Sequence, residues 1–217
     1  MLSTRNAYAL WADSYPAVAH NPLMRIEQDI VEPLLAGRRA KRALDVGSGT
    51  GRYLPLLEST GASVVLAVDL SLAMLARSSG RQRVCADACR LPFRQAAFDV
   101  VNASLMVGDV ADLAPWSREM ARVLTSGGHL IYSDFHPSWA PRGWSRTFRD
   151  SAGRLHEVSF HPHTIEDHLE ALEGAGFRVR AIRQPRLKGQ LFAAVREFCR
   201  RRKNPPVLVV FHAVKEP

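Results

Sequence analysis

Long hydrophobic runs are missing from this 217-residue chain. No stretch approaches the ~18 consecutive apolar residues of a membrane-spanning helix, so no membrane span is expected. The opening "MLSTRNAYALWADSYP" lacks the basic start and apolar centre of a secretory leader. Cysteine is scarce: Cys85, Cys89 and Cys199 form an odd count without a disulfide-scaffold spacing, which points to a reducing, cytoplasmic setting. Cys85 and Cys89 lack the second cysteine pair of a zinc site and read as ordinary thiols. Acids are nearly absent from Arg178 to Lys203, where ten Lys/Arg face the single acid Glu197. The net charge of +8 is therefore concentrated there, and the rest of the chain is nearly neutral. Such a segment can attract RNA, a membrane surface or acidic substrates, although a solvated helix face is the plainer reading. Internal repeats and low-complexity tracts are missing as well.

What is present is a 47% apolar chain, suited to one compact α/β domain. The first ~36 residues read as helical, with Pro33 expected to kink or divide the second half. From Arg42 onward, short apolar runs alternate with helical patterns, as in βαβ units around a parallel sheet. "RALDVG", "SVVLAVDL", "RVCAD", "FDVVNASLMV" and "HLIYSDF" supply five strands. Helices are expected at "RYLPLLEST", at "SLAMLARSS" with Ser71 as cap, and at "DLAPWSREMARVL" between Asp112 and the Gly127-Gly128 pair. Residues 136–163 break the rhythm with an aromatic- and histidine-rich excursion of little periodicity, and such long excursions are often functional. "TIEDHLEALEGAGF" restores a helix opened by a capping box of Thr164 and Asp167. "RVRAIRQ" and "PPVLVVFHAV" complete seven strands, with a basic helix "LFAAVREFCRRRK" between them. The final pair is expected to run antiparallel at the sheet's edge.

Chemistry concentrates at "RALDVGSGTGRY". In open parallel sheets ligands bind beyond the carboxyl ends of the strands, near the point where strand order reverses. Gly47, Gly49 and Gly51 let backbone approach a ligand there. A phosphate-binding P-loop needs a Lys-Ser/Thr pair, and Arg52-Tyr53 stands instead. The dinucleotide fingerprint wants glycine at position 52, and Asp45 would repel a pyrophosphate. A ligand that carries an amine and no phosphate turns Asp45 into an asset.

"DVGSGTG" resembles the D/E-x-G-x-G-x-G loop of class I S-adenosylmethionine (SAM)-dependent methyltransferases. Four further stations match in order: "VDLS" ending the second strand, "CADACRLPF" after the third, "FDVVNASLMVGDV" at the fourth, and "ARVLTSGGHLIYSDF" as the helix-turn-strand that follows. "AYALWADSYP" is similar to the N-terminal segment of the ubiquinone/menaquinone-biosynthesis branch (methyltransferase type 11), although Ala9 and Pro16 replace its acids. The resemblance implies a seven-stranded, mostly parallel Rossmann-like α/β sheet with helices on both faces, an antiparallel C-terminal edge strand and an N-terminal helical lid. One domain then spans 1–217: the lid over 1–40, the SAM-binding core over 41–135, a substrate-side insertion and helix over 136–170, and C-terminal strands with the basic helix over 171–217.

The same resemblance implies that Asp45, Gly47, Ser48, Gly49 and Gly51 meet the cofactor's amino-acid end. Asp69 would take the ribose hydroxyls beside Leu70 and Met74, and Asp87 and Ala88 the adenine. Ser104 and Leu105 would line the methionine part, Tyr15 would close over it with Tyr8 and Trp11, and Arg25 would pair with the carboxylate. S-adenosylhomocysteine (SAH) is the implied product. The implied partner is a small-molecule methyl acceptor, not a nucleic acid, and oligomeric state stays open. Methyl transfer needs a base only when the acceptor carries a proton at neutral pH. His136, at the end of the fifth strand, is the first candidate and His163 the second. His161, His163 and His168 in "HPHTIEDH" have zinc-ligand chemistry, but Pro162 restricts the backbone and the acids are used in capping, so no metal is expected. RNA or protein methylation through the basic segment is the alternative function. The fourth strand, however, ends in "NASL" rather than the N/D-P-P-F/Y of base-amino methyltransferases, and Asn204-Pro205-Pro206 reads as a turn. A SAM-binding protein without transferase activity is the third reading.

Overall fold

A computed structural model describes residues 2–142, 145–187 and 206–217. Trp144, Cys199 and the expected basic helix around 191–203 lie outside the described residues. The described chain opens with α1 (Thr4–Trp11) and α2 (Pro22–Ala36). A βα succession then follows: β1 (Arg42–Val46), α3 (Leu54–Ser59), β2 (Val64–Asp69), α4 (Leu72–Ala76), β3 (Gln82–Cys85), β4 (Phe98–Ser104), α5 (Leu113–Val123) and β5 (Leu124–Phe135). A hairpin of β6 (Arg146–Arg149) and β7 (Leu155–Val158) precedes α6 (Ile165–Gly174), β8 (Phe177–Arg183) and β9 (Leu208–Lys215).

Seven strands form one sheet in the order β3-β2-β1-β4-β5-β9-β8. β1 through β5 pair in parallel, while β9 runs antiparallel to both β5 and β8. The sequence explains why β9 lies inside and β8 outside. "LVVFHAVK" is an unbroken apolar run, buried at six consecutive positions from Leu208 to Ala213, as a strand paired on both sides must be. "FRVRAIR" alternates, and its arginines place charge on the edge, where it discourages pairing with another chain.

Period-two alternation divides the core into two layers. Leu44 and Val46, Val101 and Ala103, Leu130 and Tyr132, and Val209 and Phe211 face α5 and α6, meeting Leu113, Trp116, Met120 and Leu172. Ala43, Val100, Ile131 and Val210 face the other way, onto Val31 and Leu35 of α2 and Leu57 of α3. Each fully buried side chain of this kind contributes about 1.5–3 kcal/mol. The strand order reverses between β1 and β4, so the carboxyl ends of those strands diverge into a crevice.

Three local expectations change. α2 continues unbroken through Pro33, which costs it one intrahelical hydrogen bond but no division. α5 stops at Val123, and β5 begins at once, carrying Gly127 and Gly128 inside the strand rather than at a helix end. The 136–163 excursion holds β6 and β7, joined where the Asp150 carboxylate accepts from the N–H groups of Ala152 and Arg154 and Gly153 takes a positive φ of 78°. "DSAG" was the turn signal for this hairpin. The capping box of Thr164 and Asp167 and the Ser71 and Asp112 caps form as the sequence indicates.

Candidate active site

Beyond the carboxyl ends of β1 to β4 lies a cavity of about 690 Å³, within the range of small-molecule sites. The glycine loop forms one wall. Gly47 and Gly49 adopt φ of 66° and 56°, and around Gly49 there is open space where a side chain would stand. Gly51 also has a positive φ, 93°, but it does not line the cavity. A Cβ there would lie 2.7 Å from Ser78 Oγ and 2.8 Å from Leu54 Cδ1, so packing demands this glycine.

Three aspartates from three strand ends line the cavity. Asp45 sits opposite Asn102 in the β1–β4 register and accepts from its Nδ2 at 2.7 Å. Burial raises its pKa to about 7, against the lowering effects of Asn102 and of the Arg52 charge. Asp69 accepts from the Gly49 N–H and the Ser71 N–H, both at 2.8 Å, and so fixes the glycine loop from β2. Its pKa is raised by burial, which those backbone hydrogen bonds oppose. Asp87 accepts from the Cys89 N–H at 2.8 Å through one oxygen. Ser48, Leu70, Met74, Ala88, Ser104, Leu105 and Tyr15 also line the cavity. The Ser48 hydroxyl is buried and has no hydrogen-bond partner among the described residues.

Besides Gly51, three expected site residues lie elsewhere. Arg25 is exposed on α2 and does not line the cavity, because the inward stripe of that helix is Met24, Glu27, Val31 and Leu35. His136 is also outside the cavity. Its Nδ1 accepts from the Ser138 N–H, and its Nε2 lies 2.9 Å from Gln184 Oε1. His163 is turned away too, its Nε2 donating to the Val110 carbonyl at 2.7 Å. His168 is buried against Phe211 and Tyr132, and desolvation lowers its pKa to about 3. Among the described residues, no three His, Cys, Asp or Glu converge as a metal site.

Two buried polar clusters at the cavity were not anticipated. In the first, Glu27 of α2, fully buried, accepts from Tyr53 Oη at 2.6 Å, Arg52 Nη1 at 2.7 Å and Ser133 Oγ at 2.7 Å. An acid at a core phase of an amphipathic helix was the available signal. In the second, Asp109, which follows β4, accepts from Thr4 Oγ1, Tyr8 Oη and both terminal nitrogens of Arg146. Arg146 also lies over the Tyr8 and Phe160 rings, at 5.7 and 5.8 Å. One carboxylate thus ties α1 and β6 to the cavity wall. Around it Trp11 stacks on Phe148 at 4.6 Å and meets Tyr15 edge-on at 4.9 Å.

This arrangement of glycine loop and strand-end acids coincides with a match of residues 44–132 to a family model described as a methyltransferase domain. Residues 44–132, less than half of the chain, are thus similar to a methyltransferase domain. Over 98 residues it is 41% identical to the demethylmenaquinone methyltransferase of Mycolicibacterium gilvum. That match covers 44% of this chain and 42% of the relative, so the chain spans less than half of the curated protein it resembles. A crystal structure of a SAM-dependent methyltransferase from Mesorhizobium loti superposes with a TM-score of 0.68 at 25% identity, covering 87% of this chain and 97% of that one. A structure from Listeria monocytogenes gives a TM-score of 0.71 at 20% identity over 88% of this chain and 98% of that one, a likeness of fold. The methyltransferase family and fold imply SAM as the cofactor. The cavity suits it: the open space at Gly49, the unpartnered Ser48 hydroxyl and the acidic lining fit a polar, cationic ligand. Among the described residues, no helix is long and apolar enough to cross a membrane.

Proposed function

We propose that this methyltransferase domain moves a methyl group from SAM to a small-molecule acceptor by in-line displacement. The observation that carries the reading is the single cavity in which Asp45, Asp69 and Asp87 are presented by successive strand ends along one glycine wall. Asp45 holds the cofactor's ammonium, Asp69 the ribose hydroxyls, and Asp87 with the Ala88 N–H the adenine edge. Bound SAM supplies an activated methyl on a positively charged sulfur. As the bond from acceptor to methyl forms, the carbon–sulfur bond breaks and its electron pair stays on sulfur. The chain's own contribution is to align the acceptor and exclude water. Tyr8, Tyr15, Leu105 and Met106 form the wall that does so. His136 and His163 take no part, because neither ring lines the cavity.

The aromatic mouth favours a planar, partly apolar acceptor, and the demethylmenaquinone in the name of the M. gilvum relative is the first compound to test. That relative matches over 44% of this chain, so its acceptor is carried over only as a compound to test. Calorimetry with SAM, SAH and NAD tests the donor. SAH is expected to bind and NAD is not; failure of SAH to bind would overturn the reading. A metabolite screen for a SAM-dependent gain of one methyl group then identifies the acceptor.

A further inference from the structure

Arg52 follows the last glycine of the loop, and its side chain is only 9% exposed while it lines the cavity. Its Nη1 is fixed by Glu27 and by the Tyr53 hydroxyl, and its guanidinium lies 4.4 Å from the centre of the Tyr53 ring. Glu27 is itself held by Tyr53 and Ser133, so the guanidinium is locked in place. The Nε and Nη2 donors have no partner among the described residues. Two arginines line the cavity, Arg5 and Arg52, and Arg5 is exposed near the chain's start. Arg52 is close enough to Asp45 for its charge to favour the ionised carboxylate.

We infer that Arg52 receives the α-carboxylate of the cofactor's amino-acid end, with Glu27 as the positioning residue that aims it. One carbon separates the ammonium and the carboxylate of an α-amino acid, so their two protein partners must be neighbours. Asp45 and Arg52 are such neighbours, one at each end of the glycine loop. Together they make a clamp of opposite charges for a zwitterion. Arg25 has no place in that clamp, since it points to solvent. A planar guanidinium suits a carboxylate better than an ammonium would, because its donors form a fixed fork. The inference rests on the SAM reading and adds which residue recognises the carboxylate.

The test compares two ligands by calorimetry: SAH and its decarboxylated analogue, S-adenosyl-3-thiopropylamine, which keeps the amine and lacks only the carboxylate. Removing Arg52 alone would strand the Glu27 charge in the interior. The informative variant is therefore the double substitution Arg52→Met/Glu27→Gln, with Arg52→Lys alongside it. In the unsubstituted protein SAH binds more tightly than the analogue by about 10- to 100-fold, the span of a buried charge-assisted hydrogen bond. The double variant loses about that factor for SAH and keeps its affinity for the analogue, and Arg52→Lys falls between. A parallel loss for both ligands, or unchanged SAH binding, overturns the inference and leaves the cofactor reading standing. Failure of both ligands to bind the unsubstituted protein overturns the cofactor reading and the inference together.

Discussion

The proposed placement of the cofactor's ammonium at Asp45 makes cofactor affinity a function of pH, with the direction set by the burial of that carboxyl. Asp45 is 2% exposed, and burial raises its pKa to about 7 in the free protein. An ammonium placed against it requires the ionised form, so binding displaces the proton held below that pH. The affinity factor lost is one plus ten raised to the difference between pKa and pH. At pH 8 this loss is negligible, and at pH 5.5 it is about 30-fold. SAH affinity measured by calorimetry from pH 5.5 to 8.5 is therefore expected to rise about tenfold per unit on the acid side and level off above 7. The heat of binding near pH 6, compared across buffers of different ionisation enthalpy, should report close to one proton released. Methylthioadenosine, which has no amino-acid end, isolates the effect: Asp69 and Asp87 serve both ligands, so the ratio of the two affinities carries the Asp45 contribution alone. Asp45→Asn should weaken SAH binding and abolish the slope. A flat SAH profile, or equal slopes for the two ligands, would refute the placement of the ammonium at Asp45.

Alanine at the two loop glycines separates packing from binding. Gly51→Ala forces a strained φ and a clash with Leu54 and Ser78, costing about 2–5 kcal/mol in chemical denaturation. Gly49→Ala costs about 1–2 kcal/mol, since open space surrounds it, but it weakens SAH binding by filling the cavity wall. Equal stability losses would show the loop to be misread. Arg146→Met leaves Asp109 without its ion-pair partner and should lower unfolding free energy by about 3–5 kcal/mol, measured by urea titration; a change below about 1 kcal/mol would mean that the pair is solvated. His136→Ala should retain full turnover once an acceptor is known, and a large fall in kcat would restore it as a base.

The strand-and-helix rhythm was legible because alternation and apolar runs report burial directly; the order of the last two strands was not, since the C-terminal strand β9 lies between β5 and β8 and β8 takes the edge. The cofactor loop was legible for a different reason: its residue types are dictated by what must approach the backbone. Asp45 and Asp69 were identified by chemistry, and the structure brings both to one cavity. What escaped were residues whose partners lie far along the chain. Glu27 looked like one more charge on a helix, and only the phase shared with Met24, Val31 and Leu35 turns it inward. Arg25, two positions away, looked the better ligand and faces out. Arg52 served in the sequence only to exclude a dinucleotide, since its fork is oriented by Glu27 and Tyr53. Asp109 and Arg146 could not be joined in advance, because the hairpin that carries Arg146 was hidden in an aperiodic stretch. Strand-end position says nothing of which way a ring turns: Gln184 and Val110 are the partners of His136 and His163, and neither residue lines the cavity.

The Asp109 junction has a consequence for the order in which the molecule assembles and opens. Thr4 and Tyr8 precede their carboxylate partner by 105 and 101 residues, whereas the parallel strands beside the cavity belong to one continuous ladder. A chain leaving the ribosome therefore exposes its first helix long before Asp109 has been synthesised, and that helix has no finished surface to join until β4 is in place. In the folded protein α1 packs on far fewer residues than the strands of the sheet do, so it is the element that detaches first. Amide hydrogens of α1 should exchange ahead of those in β1 and β4, and a protease should nick the first turns while the sheet stays intact.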